Sequence, residues 1–232
     1  MIVNTRPKDL SQKTNALLES SGKKFIHIPL TKIVKTDPPI KAMQHIKNLK
    51  NYDVVIFTSQ SAVRYGAKFF QESPFSSKNI PILAIGLATQ KALDKLNLTS
   101  SIPSTFNSEG LANVIEKMGY KKCLVFCGEK KPQILSLTDA NIDTFPCYAS
   151  NDEKNIDVSK IKSKGKLIIL LYTYQSIRVL AKELPVNENQ QTTLVVASKR
   201  IEDLAMEYGF RDIVLADSPH DADMIEAALR AD

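Results

Sequence analysis

The residues in this chain that could do chemistry are small, hydroxylated and spread over its whole length. Eight short segments each follow an apolar run and precede a helical pattern. They are Thr5-Arg6-Pro7, Thr58-Ser59-Gln60-Ser61, Gly86-Leu87-Ala88, Ser108-Glu109-Gly110, Gly128-Glu129-Lys130, Thr173-Tyr174-Gln175-Ser176, Ser198-Lys199-Arg200 and Ser218-Pro219-His220. A helix start exposes backbone N–H groups and the positive end of the helix dipole, which suit a carboxylate or phosphate. Ser and Thr also serve there as plain helix caps, so one turn alone says little. Eight of them on a chain of net charge +6 point to a small ligand with many anionic groups.

Stronger machinery is missing from the sequence. It contains no GxGxxG, GxxxxGK[ST], HExxH or GxSxG, and no Ser/His/Asp set suggests itself. His27 reads as a strand histidine and His45 as a helix-surface residue. His220 follows Ser218-Pro219 at a strand-to-helix turn and could face a ligand. Arg6 fits a ligand contact or a structural ion pair equally well. Tyr148 ends a strand-like run and could belong to the core or present its hydroxyl. Cys123, Cys127 and Cys147 suit buried thiols better than a disulfide framework or a metal site.

What positions these turns is an alternation of strand and helix. Apolar, β-branched runs (IVNT, FIHI, VVIF, ILAI, CLVF, LIILLY, LVVA, DIVL) are separated by amphipathic stretches such as Leu111-Val114-Ile115-Met118. That pattern predicts parallel sheets covered on both faces. Gly22, Gly119 and Gly209 stand where helices should stop.

The chain also repeats itself out of register. Laying Gln60-Ser61 on Gln175-Ser176 is a shift of 175 − 60 = 115, and VVIFTSQSAVRY then meets LIILLYTYQSIR. ILAIGLATQKALDKLN (82–97) pairs with LVVASKRIEDLAMEYG (194–209), and SEGLANVIEK (108–117) with DADMIEAALR (221–230). The segment 2–30 pairs with 123–148. The order short, long, short, long implies two similar domains with a cleft between them. Adjacent units could combine as 1–117 and 118–232, or the middle two could form an insertion. Breaks at Asp37-Pro38-Pro39 and at Ala149-Ser150-Asn151-Asp152-Glu153 would make a paired hinge and favour the insertion. One domain is then 1–33 plus 152–232, the other 37–146, with connectors at 34–36 and 147–151.

No apolar run approaches the ~20 residues of a membrane helix. The basic residues are dispersed, with no finger or basic helix, so nucleic acid is not expected as a partner. A soluble, cytoplasmic, monomeric protein is the expectation, the N-terminus entering IVNT without a leader pattern.

In order along the chain, VNTRP, FTSQSAV (57–63), IGLAT (85–89), SEGL (108–111), PCY (146–148) and VLADSP near the C-terminus resemble the uroporphyrinogen-III synthase family. The resemblance covers essentially the whole chain. It implies an α/β fold of two flavodoxin-like parallel-sheet domains, the second inserted into the first, joined by a two-strand connector. It implies closure of the linear tetrapyrrole hydroxymethylbilane into a macrocycle, with inversion of the last pyrrole ring and loss of water, and with no metal or cofactor. The substrate's eight carboxylates would match the helix starts. The family's candidate catalytic tyrosine falls on Tyr148. Substrate contacts are expected from Thr5, Arg6, Pro7, Thr58, Ser59, Gln60, Ser61, Gly86, Ser108, Thr173, Tyr174, Ser198, Ser218, Pro219 and His220. Transient contact with the upstream bilane-forming enzyme is also implied. The chain departs from the family pattern at Tyr174, where a serine is usual, and at His220, where a small hydroxyl residue is usual. A non-catalytic two-domain ligand sensor and an inactive tetrapyrrole-binding relative are the alternatives.

Overall fold

The computed structural model describes residues 1–75, 80–161, 165–184 and 191–232. It divides into two compact units, one formed by 1–33 and 151–232, the other by 34–150.

The discontinuous unit holds a sheet in the order β10-β9-β8-β1-β2, where β1 is Ile2–Asn4, β2 Phe25–His27, β8 Leu167–Leu171, β9 Thr192–Val196 and β10 Ile213–Leu215. All its pairings are parallel. Renumbered in chain order this is 2-1-3-4-5, the flavodoxin-like arrangement. The central strand β8 is wholly buried from Leu167 to Leu171, as a strand covered on both faces must be. Helices α1 (Gln12–Ser20), α6 (Tyr174–Glu183), α7 (Lys199–Glu207) and α8 (Asp221–Ala231) cover it.

The continuous unit holds β3 (Thr31–Lys35), β4 (Val54–Phe57), β5 (Ile82–Ala84), β6 (Lys122–Gly128) and β7 (Asn141–Asp152), in the order β3-β7-β6-β4-β5. Here β7-β6-β4-β5 is parallel and Ser101 bridges to Leu83 beyond β5. The order is again 2-1-3-4-5, but the chain enters it at the third strand. That permutation is why the repeat is out of register in the sequence. Its helices are α2 (Ile40–Lys47), α3 (Gln60–Gln71), α4 (Leu87–Asp94) and α5 (Ser108–Met118). Phe57 and Phe126 stack at 4.6 Å, with Phe145 at 4.7 Å from Phe126. Helix α3 lies so close to the sheet that a side-chain carbon on Gly66 would be 2.6 Å from the Phe126 ring.

One expected break is absent. The strand β7 runs unbroken through Ser150, Asn151 and Asp152 instead of stopping at Ala149. Residues of low strand propensity are carried by β3, which runs antiparallel to β7: Thr36 N–H donates to Cys147 C=O at 3.2 Å and Glu153 N–H to Leu30 C=O at 3.0 Å. The strands β3 and β7 are the two crossings between the units. Gly22, Gly119 and Gly209 all have positive φ, as helix-terminating glycines do. The three cysteines are free and buried, and burial pushes the Cys127 and Cys147 thiols up to about 12.

Candidate active site

In the 2-1-3-4-5 sheet a ligand is expected beyond the carboxyl ends of strands 1 and 3, where the strand order reverses. In the continuous unit those strands are β6 and β4. A register shift in the β6/β7 ladder pairs Cys127 with Pro146 but Gly128 with Tyr148, so β7 carries one extra residue there. Such a bulge re-aims the side chain that follows it. The Tyr148 ring consequently lies over Gly128, whose missing side chain makes the room: a Cβ there would be 3.1 Å from the ring's Cε2 and Cζ. The hydroxyl reaches past β6 to Ser59 Oγ at 3.0 Å, at the end of β4.

Ser59 is the N-cap of α3, and its Oγ accepts from the Ala62 N–H at 3.0 Å. Its own hydrogen remains available for the phenol oxygen, which leaves the phenol hydrogen free for another acceptor. Burial raises the Tyr148 pKa above its ordinary value, and the Ser59 hydrogen bond opposes the rise. The group is therefore a neutral donor across the physiological range.

The neighbouring turns are tied down. Thr58 Oγ1 donates to Phe126 C=O at 3.0 Å. Ser61 is buried and Gln60 exposed. Gly86 starts α4 against Phe106, and a Cβ on it would be 3.0 Å from Phe106 Cβ. At α5 the cap is Asn107, whose Oδ1 accepts from Gly110 N–H at 2.8 Å, with Ser108 already the first helical residue.

In the discontinuous unit the switch point lies between β1 and β8. Thr5 is buried and its hydroxyl donates to Leu170 C=O, tying the two strands together. Pro7 is buried as well. The Arg6 guanidinium lies 4.0 Å from the Tyr172 ring centroid, and its Nε stands 3.1 Å from Asp221 Oδ1. That contact is an ion pair without hydrogen-bond alignment, since Nε has no hydrogen-bond partner. Asp221 also accepts from Thr14 Oγ1 at 2.6 Å. Arg6 is thus committed within its own unit. Burial raises the Tyr172 pKa, with Arg6 opposing. His27 Nε2 meets Arg6 C=O at 2.8 Å, so Nε2 carries the proton.

Thr173 and Tyr174 are exposed at the start of α6, and Ser198 begins α7 without a side-chain cap bond. His220 and Pro219 are exposed before α8. Ser218 donates to Asp223, so at its 2.7 Å contact with His220 Nδ1 the histidine is the donor. Asp221 and Asp223 in the first turn of α8 make this the least anion-friendly of the turns. Sequence reasoning missed Tyr172, Asp221 and Thr14; Tyr172 had been visible only as the tail of the LIILLY run. His45 is not a surface residue: it is half-buried, 2.7 Å from Tyr52 Oη and 3.6 Å from Asp143. Among the described residues no group of three or more His, Cys, Asp or Glu could hold a metal ion, and no helix is long and apolar enough to cross a membrane.

The fold is shared with solved structures. A uroporphyrinogen-III synthetase from Helicobacter pylori matches with TM-score 0.68 at 16% identity, covering 100% of this chain and 99% of that one. A mutant uroporphyrinogen III synthase from Thermus thermophilus matches with TM-score 0.62 at 13% identity, covering 100% of this chain and 99% of that one. Among curated proteins, an alpha-2-macroglobulin of Rickettsia conorii is 31% identical over 142 residues, 57% of this chain; the chain covers 7% of that protein's length. The family model for uroporphyrinogen-III synthase HemD matches residues 12–226, and the chain belongs to that family.

Proposed function

We propose that this protein closes hydroxymethylbilane to uroporphyrinogen III, inverting the last pyrrole ring and releasing water, with Tyr148 as the group that assists departure of the hydroxyl. The observation that carries the assignment of Tyr148 is its place at the switch point of the continuous unit, 3.0 Å from Ser59. The C–OH bond breaks, its electron pair leaves with the oxygen, and the phenol's hydrogen bond stabilises the charge that develops there. Loss of the pyrrole N–H proton balances the departing hydroxide, so that water is released and the neutral methylene-pyrrolenine left behind is the electrophile for ring closure. Because the bilane is itself reactive, holding it in the geometry for the inverted closure is the larger part of the work.

Binding of the carboxylates draws on exposed helix starts: Gln60, Thr173, Tyr174, Ser198 and His220 offer surface. Thr5 and Pro7 support strands and turns, and Arg6 shapes its turn through Asp221. The protein works as a cytoplasmic monomer that receives its unstable substrate by transient contact with the bilane-forming enzyme. An assay with freshly generated bilane, scoring III against I isomers, tests the reading. Dominant III product supports it, and I product at the uncatalysed ratio overturns it.

A further inference from the structure

The internal repeat pairs Ser59 with residue 59 + 115 = 174, where this chain has Tyr174. Ser59 caps α3, but a tyrosine has no oxygen close enough to its backbone to cap α6. Thr173 takes over: its Oγ1 accepts from Ser176 N–H at 3.2 Å and Ser176 Oγ accepts from Thr173 N–H at 3.2 Å, a capping box. The helix begins one residue earlier than its counterpart, and Tyr174 becomes its first residue, 38% exposed. Its ring does not enter the core. The guanidinium of Arg200, the second residue of α7, lies over it at 4.9 Å from the centroid.

Arg200 is exposed, and among the described residues no carboxylate pairs with it. The two acids in the first turns of α7 go to its neighbour instead, Lys199 meeting Glu202 at 2.8 Å and Asp203 at 3.4 Å. A guanidinium stacked on a ring keeps its N–H edge free, in a planar fork matched to a carboxylate. Holding it on the ring also removes in advance part of the side-chain entropy that binding would cost. Both residues follow adjacent strands, β8 and β9, at the carboxyl edge of the sheet.

We propose that Tyr174 and Arg200 form a stacked platform that binds one carboxylate side chain of the tetrapyrrole and so helps to fix its register on the discontinuous unit. This deepens the cyclising reading and rests on it. Neither residue takes part in bond breaking, so their loss raises KM rather than lowering kcat.

Steady-state kinetics with freshly generated bilane, alongside thermal melts, test the platform. For Arg200→Ala the expected result is a KM raised about tenfold, the scale of one charged hydrogen bond, with kcat within about twofold and an unchanged melting temperature. Arg200→Lys recovers part of the affinity, since an ammonium keeps the charge but not the fork. Tyr174→Ser raises KM by a smaller factor. An unchanged KM in Arg200→Ala, with wild type still making the III isomer, overturns the platform and leaves the cyclase intact. A lowered melting temperature with unchanged KM also overturns it, assigning the pair to helix packing. A wild type that makes only the uncatalysed isomer overturns the cyclase reading itself.

Discussion

The Tyr148 hydroxyl stands 3.0 Å from Ser59 Oγ although the two residues belong to strand and helix segments 89 positions apart. Three local features bring them together: the extra residue in β7, the bare Gly128 beneath the ring, and the cap that fixes Ser59 at the start of α3. The phenol is held at its ring face and at its oxygen, which is what a positioned hydrogen-bond donor requires.

Ser59 serves both the helix and the phenol, so Ser59→Ala should change two observables. Loss of the cap lowers stability by about 1 kcal/mol, read from urea denaturation. Loss of the phenol's partner lowers kcat about tenfold, the scale of one hydrogen bond between neutral groups. On a Tyr148→Phe background the same substitution should cost stability but little further kcat, because the two residues act as one unit. Fully additive kcat losses would separate them.

Gly128→Ala tests the floor of the site. The added methyl would meet the ring carbons at 3.1 Å, closer than ordinary contact, so the ring must shift. Activity should fall about tenfold or more while the stacked Phe57–Phe126 core, two positions away along β6, keeps the melting temperature close to wild type. Wild-type kcat in a folded Ala variant would mean that the ring position does not matter.

The pH profile follows from burial of Tyr148. Its pKa is raised, so the protonated donor persists to higher pH than a free tyrosine would allow. The kcat profile should show no loss from phenol ionisation below the ordinary tyrosine value of about 10. A tyrosine-dependent alkaline limb near pH 8, abolished in Tyr148→Phe, would contradict this.

Much of this architecture could be read from the chain. The out-of-register repeat works because Gln60-Ser61 and Gln175-Ser176 occupy the first turns of equivalent helices, α3 and α6, in sheets of the same strand order. What could not be read depends on partners distant in sequence. Arg6 is turned by Asp221, and His45 is drawn inward by Tyr52 and Asp143. The strand through Asn151 and Asp152 exists because β3 lies beside it. Which residue caps a helix is also hidden: Asn107 caps α5 and Thr173 caps α6, where a single oxygen decides the helix start. The aim of Tyr148 depends on a bulge that leaves no signature in PCYAS.

His45 predicts acid sensitivity. Tyr52 gives its hydrogen to Asp143 at 2.8 Å, so His45 Nδ1 must donate to Tyr52 as a neutral ring. Burial lowers the His45 pKa below 6.5, with Asp143 opposing and Lys41 and Lys122 assisting. The unfolded chain therefore takes up the proton more readily, and the stability is present above pH 6.5 and lost as pH falls through the folded-state value. The melting temperature should drop below about pH 6.5, and His45→Gln should flatten that drop. Parallel curves for the two proteins would exclude His45 as its source.

The most direct test is the isomer ratio of purified Tyr148→Phe with freshly generated hydroxymethylbilane. The substitution keeps the ring over Gly128 and removes only the donor. The expected result is a kcat lower by about 10²-fold, the typical contribution of one such group, with product shifting towards the I isomer as uncatalysed closure competes. A folded Phe variant that keeps wild-type kcat and yields only the III isomer would make Tyr148 a packing residue and contradict the account.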